Sequence, residues 1–444
     1  MFDLLIVNAR VVNEGTIREL DVGILDGRID AIAPSLSRNA KKVIDARGRY
    51  LLPGMIDDQV HFREPGLTSK GDMATESAAA VAGGITTYME MPNVKPPTLD
   101  SQALEGKYAL ARGRSHANYA FYHGASNDNL EAIKALDPAA TCGIKIFMGA
   151  STGNMLVDAP QTLEDIFASA KIPVITHCED TPMIQESERQ ARERFGEQVP
   201  FSLHGEIRSR EACYKSSSMA IDLARKYGTR LHVLHLTTAE EMALFEPGPV
   251  EGKLITAEAC VHHLWFCDED YERLGSWIKC NPAIKTAADR QAIREAVNDG
   301  RIDIVATDHA PHTLEEKNNS YFSAPSGMPL VQHALSSLLD QVNAGHFELT
   351  TIVEKTSHNV ARRFELADRG FIREGYMADL VLVDLEKRFT VTRDELLYKC
   401  GWSPFENTAL RGSIDTTIVN GVVAWDGTRL AGAPAGERVT YCRR

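Results

Sequence analysis

The chain is short of positive charge. Its 444 residues hold 48 Lys and Arg against 61 Asp and Glu, a formal net charge of −13. Nucleic acid and anionic membrane both require a basic surface, so neither is expected as a partner. No apolar run approaches the ~20 residues of a membrane span. The N-terminus, Met1-Phe2-Asp3-Leu4-Leu5-Ile6-Val7-Asn8, carries no basic stretch ahead of its apolar one, so no secretory signal is expected. The eight cysteines form no Cys-x-x-Cys pair and are too scattered for a disulfide frame. They read as free thiols of a reducing compartment, with the cytoplasm as the default. Low-complexity segments are absent as well. What is present is an ordinary globular composition, 43% hydrophobic and 25% charged. An acidic exterior still permits a small anionic substrate, because a local arginine and metal ions can set the field inside a pocket. Self-association into a homo-oligomer stays open.

The length exceeds one ordinary compact core and suits an α/β barrel with a small added domain. Residues 3–12 are apolar and β-branched. Asp21-Val22-Gly23-Ile24-Leu25, the turn Asp26-Gly27-Arg28 and Ile29-Asp30-Ala31-Ile32 then read as a hairpin. Similar material returns late, in Ala378-Asp379-Leu380-Val381-Leu382-Val383-Asp384 and Thr416-Thr417-Ile418-Val419-Asn420-Gly421-Val422-Val423. Neither end closes a core alone. A discontinuous β-sandwich domain, built from residues 1–53 and 367–444, is therefore expected.

Between the ends, eight short apolar runs alternate with helical patterns. The runs are 55–62, 85–91, 117–122, 143–148, 173–177, 230–236, 253–260 and 302–307; helices are expected over 73–82, 100–112, 161–170, 208–227 and 287–298. That is the pattern of a (β/α)₈ barrel over residues 54–366. Polar residues punctuate the ends of the runs. His61 closes the first, Asn93 follows the second, and Lys145 lies in the fourth. His177 ends the fifth, His235 the sixth, and Asp308 follows the eighth. Strand ends of this kind converge on one mouth of a barrel, where active sites form.

Asp57-Asp58-Gln59-Val60-His61-Phe62-Arg63-Glu64-Pro65-Gly66 concentrates this chemistry. If the strand continued, Gln59, His61 and Arg63 would share one face. An imidazole, an amide and a planar cation together suit a site for both a metal and an anion. Lys145 sits in Gly143-Ile144-Lys145-Ile146-Phe147-Met148-Gly149, where Ile144, Ile146 and Met148 pack outward and Lys145 faces the barrel axis. A buried ammonium must be paired or neutral. It is either salt-bridged, with Asp308 or Glu90, or it is an amine that captures carbon dioxide. The resulting carbamate is an anionic two-oxygen group able to bridge metals. A single strand-end histidine is usually structural. His61, His177 and His235, together with Lys145 and Asp308, instead suit zinc with a position left open for water. Asp308 would bind metal and handle protons. His312 and Asn281 are candidate substrate contacts, as is Ser151-Thr152-Gly153-Asn154 after the fourth run. His232 reads as structural. So does His262-His263, because neighbours on a strand point opposite ways.

These motifs resemble the dihydroorotases, within the cyclic amidohydrolases. The resemblance rests on Val60-His61-Phe62-Arg63-Glu64-Pro65-Gly66, Ala82-Gly83-Gly84-Ile85-Thr86-Thr87 and Met91-Pro92-Asn93. It continues through Lys145, His177-Cys178-Glu179-Asp180, Asn281-Pro282 and Ala306-Thr307-Asp308-His309-Ala310-Pro311-His312. Ala324-Pro325-Ser326-Gly327, Ser403-Pro404-Phe405 and Val419-Asn420-Gly421 complete it, so the similar blocks span nearly the whole chain. The resemblance implies a binuclear zinc site in which His61 and Asp308 hold one metal and His177 and His235 the other. Carbamylated Lys145 and a hydroxide would bridge them, and Arg63, Asn93 and His312 would hold a substrate carboxylate. The implied reaction is reversible closure of N-carbamoyl-L-aspartate to (S)-dihydroorotate, in pyrimidine biosynthesis.

Two departures stand out. Gln59 occupies the place of the first histidine of a His-x-His pair, so the site holds one or two zinc ions, with the first weakly held, differently placed or absent. Lys145 stands where many bacterial relatives with the Arg-Glu-Pro-Gly block use aspartate. The alternatives are another cyclic amidohydrolase, such as an allantoinase or dihydropyrimidinase, and a non-catalytic scaffold that Gln59 would suit.

Overall fold

The computed structural model describes residues 1–37, 39–149 and 155–443. The chain opens with five strands: β1 (Phe2–Asn13), β2 (Thr16–Leu25), β3 (Arg28–Ala33), β4 (Ala40–Asp45) and β5 (Tyr50–Pro53). Nine further strands follow: β6 (Met55–Val60), β7 (Ile85–Glu90), β8 (Asn118–Phe121), β9 (His123–Gly124), β10 (Ile144–Phe147), β11 (Val174–His177), β12 (Leu231–Val233), β13 (Ile255–Cys260) and β14 (Ile304–Ala306). The last three are β15 (Leu380–Thr390), β16 (Ala409–Val419) and β17 (Val422–Trp425).

Both chain ends enter one eight-stranded sheet, ordered β17-β16-β15-β5-β1-β2-β3, with β4 also paired to β1. β5 joins the two ends by pairing antiparallel with β15 and parallel with β1. Asp26 and Gly27, at φ 50° and 76°, make the expected tight turn, and Asn420 and Gly421 repeat it at 49° and 78°. The sheet rolls until these turns meet, with Ile24 and Gly27 against Gly421. Period-two alternation then divides β15 between two cores. Leu380 and Leu382 join the cluster of Leu4, Val22 and Ile418, while Val381 and Val383 join the barrel cluster.

The eight expected barrel runs all appear; the third, 117–122, forms β8, and β9 follows just beyond it, after Tyr122. β6, β7 and β8 pair in parallel, and so do β9 to β14. The ring closes where Val60 bridges His309 and the His61 amide donates to the His309 carbonyl at 2.7 Å. Helices Met73–Ala82, Ser101–Ala111, Pro160–Ser169, Arg210–Tyr227 and Ala287–Asp299 cover the outside. Their starts are capped by side chains where the sequence offers them, as at Asp72, Asp100, Ser209 and Thr286. Ile144, Ile146 and Met148 pack into the strand–helix layer, as alternation requires, and leave Lys145 inside. None of the helices described is long and apolar enough to cross a membrane.

One ion pair lies inside the barrel wall. Lys107 Nζ meets Glu90 Oε2 at 2.6 Å, and both side chains are buried. This pair takes Glu90 away from Lys145. Removing one partner strands a charge in a dry environment. Lys107→Met is therefore expected to cost about 3–5 kcal/mol, read from the shift of the urea midpoint. Adding Glu90→Gln should recover part of that loss.

Candidate active site

Strand ends supply the site. Asp308 and His235 each stand two residues beyond their strands, and Lys145 and His177 lie within theirs. Arg63, His235 and Asp308 have left-handed backbones, at φ 70°, 40° and 50°. Such conformations cost on the order of 1–3 kcal/mol each and persist where surrounding structure fixes them. Here they turn polar side chains back over the mouth.

The first cluster gathers on Asp308. Gln59 Nε2 donates to Asp308 Oδ1 at 3.0 Å, and His61 Nε2 lies 3.1 Å from the same oxygen. Gln59 and His61 thus share a face, as alternation predicted. Arg63 does not. β6 ends at Val60, and the left-handed backbone of Arg63 sends its guanidinium elsewhere. Asn93 Oδ1 accepts from His61 Nδ1 at 2.8 Å. Since that oxygen only accepts, the His61 proton sits on Nδ1 and its Nε2 presents a lone pair. Burial lowers the His61 pKa despite Asp308, so the ring is neutral near pH 7. Burial would raise the Asp308 carboxyl, but His61, His262 and Lys145 hold it below its usual value. A lone pair therefore faces a carboxylate, an arrangement that suits a cation.

The second cluster is a histidine pair. His177 Nδ1 and His235 Nε2 lie 2.9 Å apart. Two nitrogen ligands at ~2.0–2.1 Å from a tetrahedral zinc stand about 3.3 Å apart, close to this spacing. His177 Nε2 donates to Glu179 at 2.8 Å, and Arg208 clamps Glu179 through bonds of 2.9 and 2.5 Å. This fixes the His177 proton on Nε2 and leaves Nδ1 free to ligate. His235 Nδ1 is buried without a partner.

Lys145 lies between the clusters. Its ammonium acts on His61, His177 and His235, and Asp308 and Glu258 act on it. Burial lowers it to about 8. No described carboxylate stands at ion-pairing distance from it, so neither expected salt bridge forms. Imidazoles, a carboxylate and a lysine able to lose its proton are a donor set that fits zinc.

An anion-accepting corner adjoins. Arg63 Nε donates to the Pro311 carbonyl at 3.0 Å, and its Nη2 lies 3.1 Å from His312 Nε2. Arg63 is buried, and burial lowers its pKa to about 10. No described carboxylate pairs with it. His312 is held by Lys70 Nζ at 3.1 Å and by packing on Gly327, whose φ of 128° admits no ordinary side chain. Asn281 reaches this corner through Ser326, whose hydroxyl donates to Asn281 Oδ1 at 3.0 Å while its carbonyl faces His312. Ser151-Thr152-Gly153-Asn154 lies outside the described residues.

Several groups escaped the sequence reading. Glu179 stands two residues after His177, so alternation could have flagged it. Arg208 reaches Glu179 from 29 positions away, with no local signal. His262 and His263 open the helix Val261–Trp265, not a strand, and their rings lie 4.0 Å apart. The strand argument for pointing them apart therefore fails. His232 is buried between Asp58 and Glu258 at 3.2 and 3.6 Å, in the structural setting expected of it.

The amidohydrolase family model matches residues 50–424. An allantoinase of Rubrobacter xylanophilus is 34% identical, over 99% of this chain and 97% of its own. A dihydroorotase of Pyrococcus abyssi is 32% identical, over 98% of each. Among solved structures, the L-hydantoinase of Arthrobacter aurescens superposes with a TM-score of 0.93 at 28% identity, covering 99% of this chain and 100% of that one.

Glu179→Gln should loosen the histidine pair by replacing the charged acceptor of the His177 proton with a weaker, neutral amide oxygen. Competition against a chelator, on protein confirmed as folded, should register metal affinity about 10–100-fold weaker, and thermal stability should fall as well, because buried Arg208 loses its charged partner. Unchanged affinity would show that Glu179 orients nothing.

Proposed function

The chain belongs to the amidohydrolase family, as a metal-dependent cyclic amidohydrolase, and on that premise we propose that it is a dihydroorotase. It interconverts (S)-dihydroorotate and N-carbamoyl-L-aspartate with zinc in the site. The observation that carries this reading is Arg63, a buried guanidinium that no carboxylate of the described chain neutralises. A substrate carboxylate supplies the missing charge, and the planar fork suits it. A neutral hydantoin or allantoin ring would leave Arg63 unpaired.

His177 and His235 would hold one metal, and His61 with Asp308 a second, with Lys145 between them as a carbamate. Bound there, zinc supplies a water activated at neutral pH and positive charge beside the scissile carbonyl oxygen. The chain does the rest. Arg63 and His312 hold the carboxylate and so orient the ring, while Asn281 and Ser326 support that corner. Asn93 keeps the His61 proton on Nδ1. Gln59 donates to Asp308 Oδ1, which leaves Oδ2 to take a proton from the attacking water. Asp308 returns that proton to the leaving ring nitrogen, acting as base and then as acid. In the biosynthetic direction the same oxygen removes the proton as the ring closes. Holding both ends of the substrate removes part of the barrier by orientation.

Turnover of dihydroorotate, allantoin and dihydrouracil under one metal loading tests the assignment. Dihydroorotate should be strongly preferred, and preference for either neutral ring would sink it. Arg63→Met should raise KM for dihydroorotate by about 10–100-fold, the worth of a charged hydrogen bond. Lys145→Ala should lose metal and activity together, with partial rescue by short carboxylic acids; unchanged zinc content in that variant would count against the bridge. Carbamate formation needs the neutral amine, whose share grows as pH rises through the Lys145 value of about 8. At fixed dissolved carbon dioxide, reactivation of metal-stripped enzyme should therefore speed up from pH 6 towards about 8 and then level off. A rate that falls over this range would contradict it.

A further inference from the structure

Outside the histidine pair and the Asp308 cluster, ligand-type side chains of the described residues converge in two places. One is Asp58, His232 and Glu258; the other is Cys260, His262 and His263. In the first, the two carboxylates lie 3.2 and 3.6 Å from His232 and raise its pKa against burial. The second holds no carboxylate among its three members.

Cys260 ends β13, and the two histidines follow on the next turn of chain. All three are buried, and each offers a ligand atom within 4.8 Å of the others. Neither ring nitrogen of His262 has a hydrogen-bond partner, and neither does His263 Nδ1. The Pro282 carbonyl lies 3.2 Å from His263 Nε2. A carbonyl only accepts, so the His263 proton sits on Nε2 and Nδ1 presents a lone pair. Burial keeps both imidazoles neutral at pH 7, the form that ligates. Unpaired polar atoms in a dry interior are costly, and here three of them accompany a thiol.

The surroundings favour a cation. Cys260 Sγ lies 3.4 Å from Glu258 Oε1 and 3.7 Å from Gln59 Oε1. A sulfur at ~2.3 Å and an oxygen at ~2.1 Å on one tetrahedral zinc stand about 3.6 Å apart. The negative charge of Asp308 acts on His262.

We propose that Cys260, His262 and His263 bind a zinc ion, in a site separate from the His177–His235 pair, with the Gln59 carbonyl oxygen placed for the fourth position. Thiolate with imidazole is a ligand set that selects zinc over harder cations. Binding exchanges the Cys260 thiol proton for the metal, and the proton leaves to solvent. Gln59 then has two ends at work. Its amide nitrogen steadies Asp308, and its oxygen turns to the new cation. The residue that weakens one metal position thereby serves another. The inference does not depend on which cyclic amide is the substrate.

X-ray absorption at the zinc edge of the full-length zinc protein tests it directly. A sulfur shell at about 2.3 Å is expected, and a spectrum of nitrogen and oxygen scatterers alone overturns the proposal. Cobalt(II) substitution provides a second reading, since a thiolate ligand adds a charge-transfer band in the near ultraviolet. Cys260→Ser should abolish that band and remove one equivalent of metal. A band that survives in Cys260→Ser assigns the thiolate to another cysteine and overturns the site. Should Cys260→Ser fail to fold, the zinc-edge spectrum of the unaltered chain decides.

Discussion

Lys145 and Arg63 are cations buried at the barrel mouth with no described carboxylate at pairing distance, and this imbalance shapes what lies around them. Burying a charge without a partner is among the costlier things a fold can do. The mouth is not poor in carboxylates. Glu90 is taken by Lys107, Glu179 by Arg208 and His177, and Glu76 by His309. Asp57 is held by Thr307. These four carboxyl groups are committed to partners other than Lys145 and Arg63, so the two cations stay available for groups that arrive from solution. Under the proposed function, that group would be carbon dioxide for Lys145 and a substrate carboxylate for Arg63.

The same logic governs the histidines. His61 and His177 each have one ring nitrogen occupied by an oxygen that can only accept, Asn93 in one case and Glu179 in the other. The proton is thereby fixed on the outer nitrogen, and the inner one faces the site. Metal affinity is thus prepared by residues that need not touch the metal. Left-handed backbone at Arg63, His235 and Asp308 places these side chains where a regular strand could not. The rolled sheet of the two chain ends steadies the barrel through β5, which runs directly into β6 and the motif at residues 57–66.

Gln59 links these themes. A histidine in its place would offer a ligand nitrogen. The amide instead donates to Asp308 and turns its oxygen towards Cys260. In the proposed site the first metal position would have one strong ligand fewer, while Asp308 has a fixed hydrogen bond that orients its carboxylate. Neither consequence suits an inert scaffold, in which a set of aligned donors would have no use.

Local pattern was enough for the barrel strands, the main helices and the Asp26-Gly27 turn, because alternation, helical period and turn chemistry act over a few residues. It also brought forward His61, Lys145, His177, His235 and Asp308, since polar residues at the ends of apolar strands must face a common mouth. β4 and β5 were missed. β4 is short and largely exposed, and β5 is a four-residue stretch that ends in proline. Placing His262 and His263 on a strand failed because the chain turns into a helix at Val261, and the apolar pattern does not change there. Only the folded chain could reveal that Arg63 leaves the face of Gln59 and His61, that Arg208 clamps Glu179, and that Glu90 belongs to Lys107 and not to Lys145. Those pairings join residues far apart in sequence. Which ones form is decided by how strands and loops stack in space, where charge, burial and hydrogen-bond geometry are settled together.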